Sequence, residues 1–208
     1  AALITGFEAD AARALLAYLV MNPARPIPRR VLAGLLWPEW PDAEALRNLR
    51  SALYRLRKAI GDRDATPPYL LITRQTLQFN TRSAYHLDVT AFTGHVQTAR
   101  THQHPRGALC ATCVQGLTEA AAIYRGDLMA GFSLDSAPFE AWIVVQREAH
   151  HQQALWVLDQ LAAHCEANGA LDQALTYAQR QVALEPWREQ AHRQWMRALA
   201  LSGQRPAA

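Results

Sequence analysis

The sequence predicts a mainly α-helical protein, in which a winged helix-turn-helix with a small β-hairpin wing precedes a tetratricopeptide-like helical domain. Three observations predict this fold class. Apolar residues recur at helical spacing along most of the chain, two short runs around residue 75 have the composition of β-strands, and residues near the end repeat at an offset of 34. We expect a winged-helix domain in residues 1–82, a linker in 83–113 and the helical domain, truncated at its C-terminus, in 114–208.

The first elements of the winged helix follow one another along the start of the chain. A short strand is expected at residues 3–7 and a first helix at residues 8–21. Pro28 suits the start of a second helix over residues 29–36, because proline is tolerated in the first helical turn. Two prolines then exclude helix from the loop 37–42.

A third helix and a β-hairpin complete this predicted domain. We place the third helix over residues 46–60 and expect Asp42 to cap it, since aspartate is a favoured N-cap residue. Residues 69–73 and 77–80 are predicted to form the two strands of the hairpin, with Arg74-Gln75-Thr76 at its tip. Three helices followed by a hairpin constitute a winged helix-turn-helix.

The third helix combines an apolar stripe with a cationic face. The stripe consists of Leu46, Leu49, Leu53, Leu56 and Ile60. The outward residues are Arg47, Asn48, Arg50, Ser51, Tyr54, Arg55 and Lys58. No acidic residue lies between Glu44 and Asp62 in the sequence, whereas a solvated face usually mixes both signs. This face therefore favours DNA binding, with a plain solvated amphipathic helix as the alternative.

The position of a residue along this helix suggests its role in DNA binding. The N-terminal part of a recognition helix enters the major groove, so we assign Arg47, Asn48 and Ser51 to base edges. Arg55 and Lys58, which follow later, are assigned to phosphates.

Further cations extend the predicted DNA-binding surface. Arg29 and Arg30 open the second helix, where their side chains and the helical amides together suit a phosphate. Arg74 at the wing tip is a candidate for the minor groove, and a solvated turn residue is the alternative. Arg50 and Arg57 lie toward the flank of the third helix, where each could instead pair with a carboxylate.

The loop before the third helix offers a candidate surface for a protein partner. It contains Trp37, Glu39 and Trp40. We expect Trp37 to close the core of the domain, and we assign Glu39 and Trp40 to partner binding, since exposed tryptophans often anchor interfaces.

The positive charge of the chain is concentrated in its first part. The net charge is +3. Residues 1–80 contain 11 Arg and Lys against 7 Asp and Glu, or +4, and residues 81–208 contain 10 against 11, or −1. No apolar run is long enough to cross a membrane, no signal peptide is visible, and the three cysteines suit a reducing compartment. We therefore expect a cytoplasmic protein that binds no membrane.

The second half of the chain is predicted to be almost wholly helical. Helices are expected at residues 114–124, 138–167, 170–184 and 187–202, and the long helix is expected to break near His150-His151. Gly169 and Gly203 stand 34 residues apart, and Pro186 follows Gly169 by 17 residues, as in a tetratricopeptide repeat. An ordinary helical bundle is the alternative.

Four side chains before this half have the spacing of metal ligands. His102, His104, Cys110 and Cys113 lie within 12 residues, and Cys-x2-Cys is a common half of a zinc site. A structural zinc is therefore a candidate cofactor. A reduced cysteine pair at the start of a helix is the alternative, and a thiol oxidoreductase is disfavoured because no βαβ pattern surrounds the motif. No nucleophile motif or glycine-rich phosphate loop occurs in the sequence, so we expect no enzymatic activity.

Three segments of the sequence together resemble a known family. They are residues 14–19 with 32–38, residues 49–62, and residues 124–132 with 139–142 and Arg147-Glu148. The chain resembles the bacterial transcriptional activator domain family, the regulators related to Streptomyces antibiotic regulatory proteins. The wing tip departs from the family pattern, because the glycine often found there is missing.

The resemblance implies what the protein does. A winged helix similar to that of response-regulator effector domains would be fused to a tetratricopeptide-like activator domain. Double-stranded DNA is the implied partner, and the loop with Glu39 and Trp40 would contact RNA polymerase. Larger members continue into an ATPase module, and no Walker A pattern occurs here, so nucleotide chemistry would lie in such a C-terminal module.

Two functions follow as hypotheses. The first is a sequence-specific DNA-binding transcriptional regulator, an activator that pairs as a homodimer on repeated half-sites. The second is a tetratricopeptide scaffold for protein interactions without specific DNA binding. The two differ in salt dependence, because phosphate binding weakens steeply as salt rises.

Overall fold

The computed structural model of the chain describes residues 9–104 and 108–203. The strand expected at residues 3–7 lies outside this part. The elements are α1 Asp10–Met21, β1 Ile27–Pro28, α2 Arg29–Leu36, α3 Asp42–Ala59, β2 Leu70–Ile72, β3 Thr76–Phe79, α4 Asp88–Thr101, α5 Ala111–Ile123, α6 Ala137–Ala167, α7 Leu171–Leu184 and α8 Glu189–Leu201. They divide into two compact units. The first takes residues up to His86 together with Gly131–Val145, and the second takes Leu87–Ala130 and the residues from Gln146 onward.

The first unit is a winged helix, as predicted. Helices α1, α2 and α3 precede an antiparallel sheet with the strand order β1-β3-β2. In the wing, Leu70 pairs with Phe79 and Ile72 with Leu77. Strand β1 was not predicted, because two residues that include a proline carry no alternating pattern; Ile27 in this strand pairs with Leu77. Strand β1 directly precedes α2, so its pairing with β3 holds the start of α2 beside the wing.

Apolar residues at helical spacing form the core of this unit. The fully buried leucines are Leu15, Leu19, Leu32, Leu36, Leu49, Leu56 and Leu77. Leu46 and Ile60, at the two ends of the predicted stripe, are only half-buried. The start of α6 also belongs here. Phe139 is fully buried, the Ser136 hydroxyl donates to the carbonyl of Leu35 at 2.6 Å, and Trp142 packs edge-to-face against Tyr18.

The expected cap of α3 is not formed. Pro41 occupies the N-cap position and no side chain caps the helix, so Asp42 is the first helical residue. Helix α3 therefore begins four residues before the predicted start at residue 46. Asp42 and Glu44 still lie in the first turn, where negative charge complements the helix dipole.

The second unit begins with a helix where the sequence suggested a linker over residues 83–113. Helix α4 buries Phe92, Val96 and Ala99, which recur at intervals of four and three residues on one face. The sequence did not predict this helix, because its short apolar stripe lies among mostly polar residues. These side chains join a core with residues of α5 and α6, among them Leu117, Val157 and Leu161.

Helices α5 to α8 follow close to their predicted bounds. The break expected in α6 is wrong, because the helix is continuous from Ala137 to Ala167. His150 is buried inside it, and its Nδ1 donates to the Gln146 carbonyl of the same helix at 2.7 Å. Gly169 and Gly203 follow α6 and α8 with φ of +74° and +80°, a conformation that favours glycine. Helices α7 and α8 then pack as a pair around Ala174, Ala198 and Leu199, among others.

Candidate nucleic-acid interface

Helix α3 presents its polar face outward. Its apolar face, with Ala45, Leu49, Ala52, Leu53 and Leu56, is buried in the first unit. The exposed residues are Arg47, Arg50, Ser51, Tyr54, Arg55 and Lys58, and Asn48 is half-buried. Helical periodicity therefore places every candidate DNA-binding residue of this helix at or near the surface, while the roles assigned to them remain predictions.

Arg47 makes only a loose ion pair at the start of α3. Its Nη2 lies 3.8 Å from Oε1 of Glu44, and the two side chains are 66% and 43% exposed. Exposed pairs of this kind contribute about 0–1 kcal/mol to stability. The guanidinium of Arg47 can therefore exchange this carboxylate for another acceptor at little cost.

Arg57 pairs with the carboxylate of Asp62. Pairing with a carboxylate was the alternative to DNA binding that its position on the flank of α3 suggested. Its Nε donates to Oδ2 of Asp62 at 2.8 Å, and the Asp62 side chain is 1% exposed. Oδ1 of Asp62 accepts the backbone N–H of Leu70 at 2.9 Å. This buried carboxylate thus ties the end of α3 to the first strand of the wing. Arg57 belongs to this tie rather than to the DNA-binding set.

Four arginines line one open groove, which we name the arginine groove. It has a volume of about 640 Å³ and is lined by Pro28, Arg29, Arg30, Leu46, Leu49, Arg50, Arg74 and Gln75. No acidic side chain is among these lining residues of the described chain. The start of α2, the flank of α3 and the tip of the wing supply the cations, so the sheet and the helices bring together residues that are distant in sequence.

Arg29 holds the wing tip in place. Its Nε and Nη2 donate to the carbonyl of Thr73 at 3.2 and 2.9 Å, and its backbone N–H donates to the carbonyl of Gln75 at 2.8 Å. Burial, and then the neighbouring cation of Arg50, lower the pKa of the Arg29 guanidinium. Because the neighbouring cation of Arg50 disfavours the charged form of Arg29, an anion bound beside these side chains would stabilise that charge.

The wing tip is built without the glycine that the family pattern often has. The Thr73 hydroxyl accepts the backbone N–H groups of Gln75 and Thr76 at 3.2 and 2.9 Å. The Thr73 backbone N–H donates to the carbonyl of Thr76 at 3.0 Å. A threonine side chain thus closes the turn. Arg74, at the centre of this turn, is exposed and lines the arginine groove.

Arg63 is a surface cation that the sequence did not point to. Its guanidinium carbon lies 5.1 Å from the centre of the Tyr54 ring, within the range of a cation–π contact. Gly61 has a φ of +64° and reverses the chain after α3, which returns Arg63 to the outer face of that helix. The Gly-Asp pair at the helix end was the available signal, because it marks a turn.

The loop between α2 and α3 separates its two tryptophans. Trp37 is half-buried, and Trp40 is 51% exposed, as is usual for a side chain that can anchor a partner. Glu39 is exposed beside it. Both rings border a small recess of about 70 Å³. Trp37, which we expected to close the core, is not among the buried core residues and lies at the border of the recess. The partner role of Glu39 and Trp40 stays a prediction.

The four candidate metal ligands also come together, in the second unit. The ligand atoms of His102, His104, Cys110 and Cys113 all lie within 4.8 Å of one another. Helix α4 ends at Thr101, just before the histidines, and α5 begins at Ala111, between the two cysteines.

Comparison with known proteins identifies the family. The model of the bacterial transcriptional activator domain matches residues 87–208, which is more than half of the chain. The chain belongs to the bacterial transcriptional activator domain family. This membership confirms the resemblance seen in the sequence.

Among the proteins to which the chain is similar are mycobacterial regulators. The transcriptional regulatory protein EmbR of Mycobacterium tuberculosis and that of Mycobacterium bovis are each 39% identical to the chain over 59 residues, which is 28% of this chain and 15% of the relative. The solved structure of M. tuberculosis EmbR in complex with a low-affinity phosphopeptide superposes with a TM-score of 0.69 and 23% identity. That superposition covers 98% of this chain and 52% of the EmbR chain, and it confirms the fold. The activator-domain chain thus spans about half the length of the solved relative.

None of the helices in residues 9–104 and 108–203 is both long and apolar enough to cross a membrane.

Proposed function

We propose that this chain is the DNA-binding part of a bacterial transcriptional activator and that it recognises double-stranded DNA in a sequence-specific way. The observation that carries the proposal is the arginine groove beside the cationic face of α3. In a helix-turn-helix the second helix enters the major groove while the first crosses the backbone, and these are the places of α3 and α2. The wing tip lines the arginine groove together with both helices. The membership in a family of transcriptional activators favours this function over a general scaffold.

The positions of the side chains divide the proposed contacts between bases and phosphates. Arg47 and Asn48 stand in the first half of α3 and Ser51 at its middle, toward the N-terminal part with which a recognition helix reaches base edges. Arginine suits guanine and asparagine suits adenine, because each can form two hydrogen bonds to one base. Arg55 and Lys58 stand in the second half and are proposed to contact phosphates.

The arginine groove is proposed to hold the backbone of the duplex. Arg30 and Arg50 line it with exposed side chains, and Arg74 supplies a third cation at the wing tip. Arg29 acts mainly by fixing the wing tip, because its guanidinium already donates to the carbonyl of Thr73. A bound phosphate would offset the repulsion between Arg29 and Arg50.

The other proposed partners follow from the exposed loop and from the family. Glu39 and Trp40 lie on the loop before α3 and are proposed to contact RNA polymerase. We also propose that two chains bind repeated half-sites as a homodimer and that the full-length protein includes a C-terminal ATPase module. The chain itself is proposed to be non-catalytic and to act in the cytoplasm.

The salt dependence of binding tests the proposal. We expect the affinity of the purified chain for duplex DNA, measured by fluorescence anisotropy, to fall steeply as salt rises. The logarithmic slope should be about 0.9 for each phosphate neutralised. Arg50→Ala should weaken binding to all sequences and reduce this slope by about 1.

Arg193→Ala is the matched control for this experiment. It removes the same charge from a side chain that is 71% exposed on α8, in the second unit. A specific interface predicts that this variant keeps the affinity and the slope of the unchanged chain. An affinity that does not change with salt would contradict the proposal and favour the scaffold. So would an equal loss of DNA affinity in Arg50→Ala and Arg193→Ala.

A further inference from the structure

Two histidines and two cysteines form a compact cluster in the second unit. The His102 Nδ1 lies 3.2 Å from Sγ of Cys113 and 3.4 Å from Sγ of Cys110. The rings of His102 and His104 have centroids 4.9 Å apart. All four ligand atoms fall within 4.8 Å of one another, although the four residues come from the end of α4, the start of α5 and the segment between them.

The two sulfur–nitrogen distances from His102 are close to those of a tetrahedral metal site. Zn–S bonds are about 2.3 Å and Zn–N bonds about 2.0–2.1 Å long, which places ligand atoms roughly 3.3–3.8 Å apart around a tetrahedron. The distance from His102 Nδ1 to Cys110 Sγ lies within this range, and the distance to Cys113 Sγ lies just below it. Other ligand atoms lie up to 4.8 Å apart, so side-chain shifts of about 1 Å would let the four residues enclose an ion.

The cluster also contains a polar atom without a partner. The Nε2 of His104 is buried, and within the described residues it has no hydrogen-bond partner. An unpaired buried nitrogen is unfavourable, because it has lost its hydrogen bonds to water without gaining another partner. Coordination of a metal ion by this imidazole would remove that cost.

We propose that His102, His104, Cys110 and Cys113 bind a structural Zn²⁺ ion that fastens the end of α4 to the start of α5. Two thiolates and two imidazoles are a set that zinc prefers. The cluster has no carboxylate, which Mg²⁺ or Ca²⁺ would need. Four protein ligands complete a closed tetrahedral shell, so the site is structural rather than catalytic.

The position of the cluster explains what the ion would stabilise. Cys113 is 2% exposed and lies in the same core as Phe92, Val96 and Leu117. Zinc would therefore fix one end of the contact between α4 and α5 to this core. The two helices would stay paired even though the segment that joins them is rich in polar residues.

Metal analysis of the purified chain tests the proposal. We expect about one zinc ion per chain by mass spectrometry after purification under reducing conditions, without chelator, from cells supplied with zinc. Replacement by Co²⁺ should give the visible bands of tetrahedral cobalt and the near-ultraviolet band of cobalt–thiolate bonds. Removal of zinc with a chelator should lower the unfolding temperature, and added zinc should restore it.

Four variants separate coordination from general damage to the fold. His102→Ala and Cys110→Ser change ligands that are not fully buried, and each should lower zinc affinity by at least about tenfold, since even outer-shell changes cost about 10–100-fold. His86→Ala changes an exposed histidine and Cys165→Ser a buried cysteine, both outside the cluster. These two controls should keep their zinc.

Several outcomes would overturn the proposal. The reduced chain could contain no zinc and show no cobalt–thiolate band. The control variants could lose zinc as readily as the ligand variants. Mass spectrometry could find a Cys110–Cys113 disulfide that persists under the reducing conditions of purification, which would identify a redox pair instead of a metal site.

Discussion

Asp62 shows how one carboxylate can fix the recognition helix against the wing. It is buried, it accepts from Arg57 of α3, and it accepts the backbone N–H of Leu70 at the start of β2. We expect Asp62→Asn to lower the free energy of unfolding of this unit by about 2–4 kcal/mol, because the charged pair is lost and a donor is placed beside a guanidinium.

Native-state hydrogen exchange checks this prediction. The amide of Leu70 should exchange much faster in Asp62→Asn than in the unchanged chain. Asp64→Asn, two residues along on the surface, is the matched control and should leave that exchange unchanged. If the Leu70 amide kept its protection in Asp62→Asn, the negative charge of Asp62 would not be what stabilises the tie, because the asparagine oxygen can still accept the Leu70 N–H.

The sequence predicted which residues of α3 face outward better than it predicted what they contact. Helical spacing alone separates Arg47, Ser51 and Arg55 from the buried leucines, so their exposure followed from periodicity. Spacing could not show that Arg29 donates to Thr73, because that contact joins residues 44 positions apart. It also could not show that Arg63 returns over Tyr54, since a turn decides that contact.

The wing depends on a turn that Thr73 closes with its side chain. We expect Thr73→Val, which keeps the shape but removes the hydroxyl acceptor, to destabilise the hairpin by about 0.5–1.5 kcal/mol, the usual net value of a hydrogen bond. Hydrogen exchange at the amides of Gln75 and Thr76 should become faster. Thr81→Val, at an exposed threonine beyond the hairpin, should leave both amides unchanged. Unchanged exchange in Thr73→Val would mean that the strands alone define the tip.

A side chain from helix α7 caps the C-terminal end of helix α5. The guanidinium of Arg180 in α7 donates to the carbonyls of Ala121 and Tyr124, which have no partner within α5. Arg180→Met keeps most of the side-chain volume, and we expect it to lower the free energy of unfolding of the second unit by about 2–3 kcal/mol, because a charged donor is lost from both carbonyls.

Urea denaturation measures this effect of Arg180. Arg193→Met removes an exposed arginine from α8, and its effect should be within about 0.5 kcal/mol of zero. Equal midpoints for Arg180→Met and the unchanged chain would show that solvent satisfies the end of α5 just as well.

At the level of elements, helices with a strong apolar periodicity were predicted correctly, and elements with a weak one were missed. Helices α1, α2, α7 and α8 carry clear apolar faces, and their predicted bounds are within two residues of the observed ones. Helix α4 has few apolar residues among threonines and other polar side chains, so the sequence suggested a linker in its place. Strand β1 is two residues long and exists only because β3 lies beside it.

At the level of the whole molecule, the chain does not divide into units in simple sequence order. Residues 131–145 join the winged helix, although they follow two helices of the second unit. Phe139 and Trp142 pack there with Tyr18, and such long-range contacts leave no periodic mark in one sequence. The uneven charge, by contrast, was visible from composition and agrees with the arginine groove in the first unit.

Selection of bound sequences from random duplex DNA tests the central claim most directly. The unchanged chain should enrich one motif, present as repeated half-sites if two chains bind together. Arg47→Ala and Asn48→Ala should each cost about 1–3 kcal/mol on that motif and relax the preference at one base pair. Lys58→Ala should weaken binding to all sequences alike. No enrichment by the unchanged chain, or a uniform loss in all three variants, would contradict base recognition by α3.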